Sequence, residues 1–578
     1  MIRPKVLQPS PSDTYPSSNE SSSSSLTYLP PVLTYLFLGI LATWPLVTKL
    51  RGWVPGFGDW GQNMWALWWT RKALLALKQS PFFTRYLFHP DGVTLLFHPV
   101  DVTDGLLALP LYAMVGGDVS YNLMVVLSFV LSGLGVYYLV LYVSHNRWGA
   151  MVAGLVFSLS PYHFLRLELG HLNLSSMQWI PFYILFLLKF VDQGRRRFAF
   201  LAILFMVLNA LSSWYYVVAC GLLSLAVVAW HPRGEVSLRN RALRAGLVLA
   251  ASLIVLSPLL VPMFVLLSSI EFVGEHNPLR HSVDLLSFWV PGPPSTWASH
   301  FEDVWISYAA QHREPGASAY LGYGVLVFVG ISLLGPRRKE ALWWLVIGLG
   351  FAVLSLGPQL QVDGRILDVR LPYHYLYRYV PGFSITGIPG RLVVMISLTT
   401  AVLAGYGLQE LRRLFPRKGP LLSLATALIV VLEFSEVPLA GSSTELPKFY
   451  HTMASDSQTY AILDFKWDAN YLMHAQTVHG KPLVGGWLAR LPEDQARYLN
   501  QGSLEKVIAY LLIGERAGTV TDAEMLRREL NDSLASHRVL YIIGHNNLIG
   551  GWLTRTLGWK PIHTENRDDD ITVYSAIP

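Results

Sequence analysis

Apolar runs long enough to cross a bilayer recur along the chain, separated by short polar turns. Windows at 30–49, 121–143, 148–165, 175–191, 198–213, 215–230, 245–270, 318–334, 341–358, 391–408 and 420–438 predict eleven membrane-spanning helices, since roughly 20 apolar residues cover the hydrocarbon core. The apolar stretch 105–116 is shorter and contains Pro110, so it reads as a re-entrant or interfacial helix. After about residue 455 the pattern changes. Tyr460–Phe465, Arg538–Ile543 and Ile571–Tyr574 read as strands, and Ser503–Ile513 and Asp522–Ser536 as helices, the second opened by a Thr521/Glu524 capping box. The expected architecture is a polytopic α-helical membrane protein with a small α/β domain at its C-terminal end. Residues 1–29, rich in Ser, Thr and Pro, form a disordered tail; 30–440 form the membrane domain, 441–454 a linker and 455–578 the α/β domain.

Charge orients this layout. The short basic loops carry Arg147, then Arg195–Arg197, then Arg233, Arg239, Arg241 and Arg244, then Arg337, Arg338 and Lys339, and last Arg412, Arg413, Arg417 and Lys418. With 105–116 excluded as a span, all of them fall on one side, as the positive-inside rule expects. The N-terminus is therefore expected in the cytoplasm. The loops 50–120, 271–317 and 359–389 and the C-terminal domain are expected outside a multi-pass cytoplasmic membrane.

Composition agrees, with 52% hydrophobic and only 14% charged residues, where a soluble protein carries about 25% charged. The net charge of +6 is spread over the short loops, so the expected partner is the lipid bilayer and not nucleic acid. The single cysteine, Cys220, excludes an internal disulfide and a cysteine metal site. The spans are almost free of charge, which counts against an ion-coupled transporter.

The residues with chemistry to offer gather in the predicted outer loops. Asp59, in Gly-Asp-Trp, is the first acid after the first span. It suits a general base or a ligand for a divalent ion, but it also precedes the helical stretch Trp60–Lys78 with Gln62 three residues on, which is N-cap chemistry. That helix has Met64, Leu67 and Trp68 on one side and Arg71, Lys72 and Lys78 on the other, as in a helix lying in the headgroup layer. His89, Asp91, His98 and Asp101 add oxygen and nitrogen groups, although Pro-Asp-Gly at Asp91 reads as a tight turn and the spacing matches no metal motif. Arg166, Glu168 and His171 fall where two spans meet at the outer face, and Arg391 stands at the mouth of a later span. Each arginine suits a bidentate grip on phosphate or an anchor to headgroups.

Several phrases carry a family likeness: LFHPDG (Leu87–Gly92), FSLSPYHFLRLELGHLNLSSMQWIP (Phe157–Pro181), PGFSITGIPGR (Pro381–Arg391), HGKPLVGGWLARLP (His479–Pro492) and DDDITVY (Asp568–Tyr574). Together with the first-loop acid in GDW, they resemble the GT-C superfamily of integral-membrane glycosyltransferases, and within it the bacterial YfhO-like and protein-mannosyltransferase-like set. The resemblance implies transfer of a hexosyl group from a polyprenyl-phosphate sugar to an extracytoplasmic lipid, glycan or protein of the cell envelope. It implies Asp59 as base or metal ligand, with Mg or Mn as the divalent cofactor. It places the donor phosphate at Arg166 and Arg391, with His171 beside them. The chain departs from the family in one respect: Asp59 is followed by Trp60, where many members carry paired acids. A lipid-linked glycan transporter or flippase, or a non-catalytic assembly protein that binds a partner through its tail, are the alternative classes.

Overall fold

Helices stand at all the apolar windows: Ser24–Ala42, Gly117–Ser144, Arg147–Ser158 continued by Pro161–Glu168, Trp179–Gln193, Arg196–Ser212, Trp214–Ala229, Leu238–Ser269, Tyr323–Ser332, Arg338–Ser355, Val393–Leu414 and Gly419–Phe434. The computed structural model describes residues 24–230, 236–269, 272–304, 319–492 and 523–576, apart from 274–275, 293–294, 296, 381–382, 384–386, 467, 546–552, 555–558 and 566–570. Among the described residues five segments are each long and apolar enough to cross a membrane: Gly117–Ser144, Arg147–Glu168, Leu172–Gln193, Leu238–Ser269 and Pro389–Leu414. The stretch at 105–116 forms the 14-residue helix Val102–Val115, about 21 Å long and so shorter than the roughly 30 Å hydrocarbon core.

Small residues let the bundle close. Gly149 and Gly405 bring the helices Arg147–Ser158 and Val393–Leu414 into backbone contact, and a Cβ at either would strike the other's carbonyl. Tyr35 of the first helix lies in the space left by Gly133 and Gly154 and donates its hydroxyl to the Met151 carbonyl at 2.8 Å. Glu433, near the end of the helix Gly419–Phe434, bonds to a neighbouring helix start. Its carboxylate accepts from the Tyr320 hydroxyl (2.8 Å), the Gly324 N–H (3.0 Å) and the Tyr323 N–H. It thereby satisfies orphan N–H groups at the start of the helix Tyr323–Ser332. The long helix Leu238–Ser269 runs along the edge of the bundle with most of its apolar surface uncovered, including Ile254 and Phe264.

The first-loop helix, Trp60–Arg71, is not laid open to a headgroup layer: eleven of its residues, Trp60–Thr70, are buried. The reason is tertiary. The tail helix, Ala469–His479, lies against it, and Trp65 donates to the Gln476 side chain at 2.6 Å. Lys72, on the face read as polar, donates to the Gly480 carbonyl at 3.0 Å and sits over the rings of Trp68 and Tyr86.

The tail also forms a four-stranded sheet in the order Pro561–Glu565, Ile571–Ser575, Val539–His545, Ala461–Asp464. Its last pair is parallel and the others antiparallel. The helix Ala523–Ser536 packs beside it. The helix expected at 503–513, and Thr521 of the capping box, lie outside the described residues. First loop and tail share one core, in which Trp65, Trp69, Leu87 and Val93 meet Tyr450, Ile462, Met473 and Val573. Their beginnings are also joined: Trp53–Pro55 pairs antiparallel with Gly441–Ser443.

Candidate functional site

The first loop re-enters the bundle alongside the turn at 167–173, and the contact is made by backbone. Phe57 N–H donates to Glu168 O at 2.8 Å and Asp59 N–H to Leu169 O at 2.7 Å. Gly56, at φ +89°, and Gly58 permit this approach, since a Cβ on either would collide with the Leu167–Leu169 backbone. Asn63 completes the seam by donating to Gly170 O at 2.9 Å and accepting from Asn173 N–H at 3.2 Å. The seam sets Asp59 opposite His171, and His171 Nε2 meets Asp59 Oδ2 at 3.1 Å.

Asp59 occupies the N-cap position of the first-loop helix but makes no side-chain capping bond. The N-cap reading is therefore corrected: the carboxylate turns away from the helix toward His171. Burial pushes its carboxyl up, but the hydrogen bond and charge of His171, a hydrogen bond from Asn470 and the Arg391 charge outweigh this and hold it below the ordinary 3.8. Burial holds the His171 imidazole below its usual value against the pull of Asp59, and the charges of Arg166 and Arg391 push the same way. At neutral pH the pair is thus a carboxylate accepting from a neutral imidazole. The Asp59 side chain remains 38% exposed, so its free edge can be reached.

That edge faces a cavity of about 200 Å³. Asp59, His171, Arg391, His98 and Asp101 all line it. Arg391 enters from the short turn Pro389–Leu392 that opens the helix Val393–Leu414. Its guanidinium lies 3.9 Å from the Tyr215 ring centroid, and its buried Nε–H has no hydrogen-bond partner among the described residues. His98 is buried between Trp65 and Trp487, accepts from Ala489 N–H at 3.3 Å, and is pushed down to about 4 by burial. Asp101 caps the helix Val102–Val115, accepting from Asp104 N–H at 3.3 Å. Burial, then the neighbouring Asp104 charge, hold its carboxyl well above the usual range. Asp104 accepts a hydrogen bond from Ser176.

The remaining candidates stand elsewhere. Arg166 is buried behind His171, over the Tyr162 ring at 4.9 Å, and is not in the cavity lining. Glu168 contributes the backbone carbonyl described above, but its side chain is not in the lining. His89 and Asp91 sit in the turn between the short strands Phe83–Thr84 and Val93–Thr94, away from the cavity.

Other parts of the lining carry no motif. Gln62, Asn63, Asn173 and Ser212 are polar; Trp214, Tyr215 and Met263 make an apolar side. Trp487 and Arg490 come from the tail, within the phrase His479–Pro492. A divalent ion at Asp59 would need further electron-pair donors. The group that meets the carboxylate is instead the His171 imidazole at 3.1 Å. Among the described residues no group of three or more His, Cys, Asp or Glu is placed to hold a metal. The described residues do not fit such an ion.

Bundle, first loop and tail together superpose on a mutant form of the arabinofuranosyltransferase AftD from Mycobacteria with a TM-score of 0.55 at 14% identity, over 96% of this chain and 42% of that one. The chain thus spans less than half of AftD's length. The fold is that of the GT-C superfamily, a class of multi-pass membrane proteins. The chain belongs to the family DUF6311, a domain of unknown function whose profile matches residues 32–432. Two further similar structures have TM-scores of 0.49 at 12% identity. One is ArnT from Cupriavidus metallidurans bound to undecaprenyl phosphate, covering 96% of this chain and 99% of that one. The other is the archaeal oligosaccharyltransferase AglB from Archaeoglobus fulgidus with an inhibitory peptide and a dolichol-phosphate, covering 90% and 70%. Comparison with curated proteins gives no match.

Proposed function

We propose that this protein is a membrane glycosyltransferase that moves a sugar, of the hexosyl class, from a polyprenyl-phosphate donor to an acceptor hydroxyl at the extracytoplasmic face. The observation that carries the reading is the convergence of Asp59, His171 and the unspent Arg391 donor on one cavity. The apolar side of that cavity, Trp214, Tyr215 and Met263, suits a lipid carrier that approaches from the bilayer.

In the proposed reaction the acceptor oxygen attacks the anomeric carbon while the bond from that carbon to the phosphate oxygen breaks. The leaving phosphate keeps the electron pair, and Arg391 is the fixed positive charge for it. The acceptor proton goes to the Asp59 carboxylate. A carboxylate of low pKa is competent here, because the attacking hydroxyl becomes strongly acidic as its bond to carbon forms. His171 keeps the carboxylate turned toward the cavity.

The test is transfer by purified protein given labelled polyprenyl-phosphate sugars and a panel of glycan, lipid and peptide acceptors. Asp59→Asn is expected to lower kcat by about 100-fold or more, and Arg391→Ala by about 100-fold. Transfer by Asp59→Asn at the wild-type rate would remove Asp59 from the chemistry.

A further inference from the structure

The first loop carries the phrase Phe-His-Pro twice, and its two histidines fare differently. His89 stands in a turn away from the cavity, with Nδ1 3.4 Å from the Arg85 carbonyl oxygen. His98 belongs to residues 96–101, all of which line the cavity. Backbone bonds fix the loop there: His98 N–H donates to Leu95 O at 3.0 Å, and Val100 N–H donates to His98 O at 2.9 Å. The imidazole stands roughly perpendicular to the indoles of Trp65 and Trp487, with ring centroids 6.2 and 6.0 Å away. Its Nδ1 accepts from Ala489 N–H at 3.3 Å and so carries no proton. Burial pushes the ring down to about 4, so near pH 7 it is neutral and its one proton is on Nε2. That Nε2–H is buried and meets no hydrogen-bond partner among the described residues. A buried donor is costly to leave unspent, and the cavity gives a ligand access to the residue that bears it. The donor is uncharged, which suits a hydroxyl oxygen, whereas Arg391 and Arg490 supply positive charge elsewhere in the lining. Trp487 lines the cavity beside His98. An indole face is electron-rich and accepts the C–H side of a sugar ring, whose rim then presents hydroxyls to a neighbouring donor.

We propose that His98 and Trp487 form a subsite for an uncharged sugar ring, with His98 Nε2–H donating to a ring hydroxyl and the Trp487 indole packing against the C–H face. The inference rests on the transferase reading for the source of that ring, which is either the polyprenyl-linked donor or an acceptor glycan. One wall comes from the first loop and the other from the tail, so the subsite exists only while the two are docked.

The experiment uses the full-length protein in lipid nanodiscs, with the methyl glycosides of glucose, galactose, mannose and arabinose as probes and saturation-transfer NMR as the readout. At least one glycoside takes up saturation from the wild type and loses it in His98→Asn and in Trp487→Ala. His98→Asn keeps an oxygen for Ala489 N–H but has no donor at the Nε2 position. His98→Gln places an amide N–H there and recovers most of the signal, and His89→Asn matches the wild type. A histidine that only holds the tail gives the opposite order, with the glutamine variant failing and the asparagine variant sound. That order overturns the proposal, and so does a wild type that binds none of the glycosides. If His98→Asn does not fold, Trp487→Ala must show the loss by itself, and full saturation there overturns the proposal. In the transfer assay His98→Asn raises one KM about 10-fold with kcat within about twofold, because it removes binding common to ground state and transition state. The rise falls on the polyprenyl-phosphate sugar if the ring is the donor's and on the glycan if it is the acceptor's; a rise on neither overturns the proposal. If the wild type binds glycosides but transfers no sugar, the transferase reading fails and the subsite stands.

Discussion

Gly61→Ala tests the docking of the tail with a single methyl group. Gly61 lies in the first turn of the first-loop helix, and a Cβ there would fall inside van der Waals contact of the Asn470 carbonyl. Two effects oppose each other. Alanine favours the helix itself by roughly 1 kcal/mol over glycine. Against this, the obstacle is backbone and not a side chain that can rotate away, so the helices must separate, at a cost of about 1–3 kcal/mol. Separation also stretches the 3.3 Å Gln62–Asn470 and 2.6 Å Trp65–Gln476 hydrogen bonds, each contributing about 1 kcal/mol. The sum is a net loss of about 2 kcal/mol, or roughly a 30-fold rise in the population of undocked tail. Hydrogen exchange of the amides in Ala469–His479, measured in nanodiscs, reads that population directly. Gly350→Ala is the control, since nothing lies within 4 Å of the added methyl; it is expected to leave exchange in the tail helix unchanged. Wild-type exchange and wild-type transfer in Gly61→Ala would refute the reasoning.

His171→Ala removes the bundle's hold on Asp59. A charge-assisted hydrogen bond at a site still 38% exposed contributes about 1.4 kcal/mol after allowance for solvent, so kcat/KM falls about tenfold. Because His171 helps to hold the carboxyl down, its loss makes Asp59 protonate at higher pH, and the acid limb of the rate profile moves upward. Asp464 provides a stability prediction. Burial pushes its carboxyl up, but the charge and hydrogen bond of His545, with bonds from the Tyr450 hydroxyl and Lys466 N–H, hold it below 3.8. Its contribution is therefore present above the ordinary carboxylate value and is lost as the pH falls through the lowered one. Asp464→Asn is expected to cost about 3 kcal/mol near neutrality and to flatten that acid loss, as followed by thermal unfolding across the acid range.

The helical part of the fold is legible in the sequence because its determinants are local. Apolar length and bounding turns mark each helix, including the short Val102–Val115. The site is legible only in part. Asp59 is a candidate as the first acid after the first span and His171 by its place where two spans meet, but their meeting depends on Gly56, Gly58 and Asn63, which show only as loop composition. Arg391 was picked out by its place at a helix mouth, and Arg166 equally so, yet only Arg391 lines the cavity. No local pattern could separate them, because the difference lies in which neighbour each one meets. The same limit explains the first-loop helix. Its amphipathic pattern identifies an apolar face that needs cover, but not whether lipid or protein covers it.

The pairing of first loop with tail also sets a timetable. Gln62 and Asn470 are 408 residues apart. At synthesis rates of about 5–20 residues per second the interval between them is roughly 20–80 s. Throughout it the first-loop helix, with Trp60, Trp65, Trp68 and Trp69, waits without its protein partner. An amphipathic, tryptophan-rich helix is most stable meanwhile at the membrane interface. Its sequence pattern thus describes where the helix rests during biogenesis, and its burial describes where it finishes.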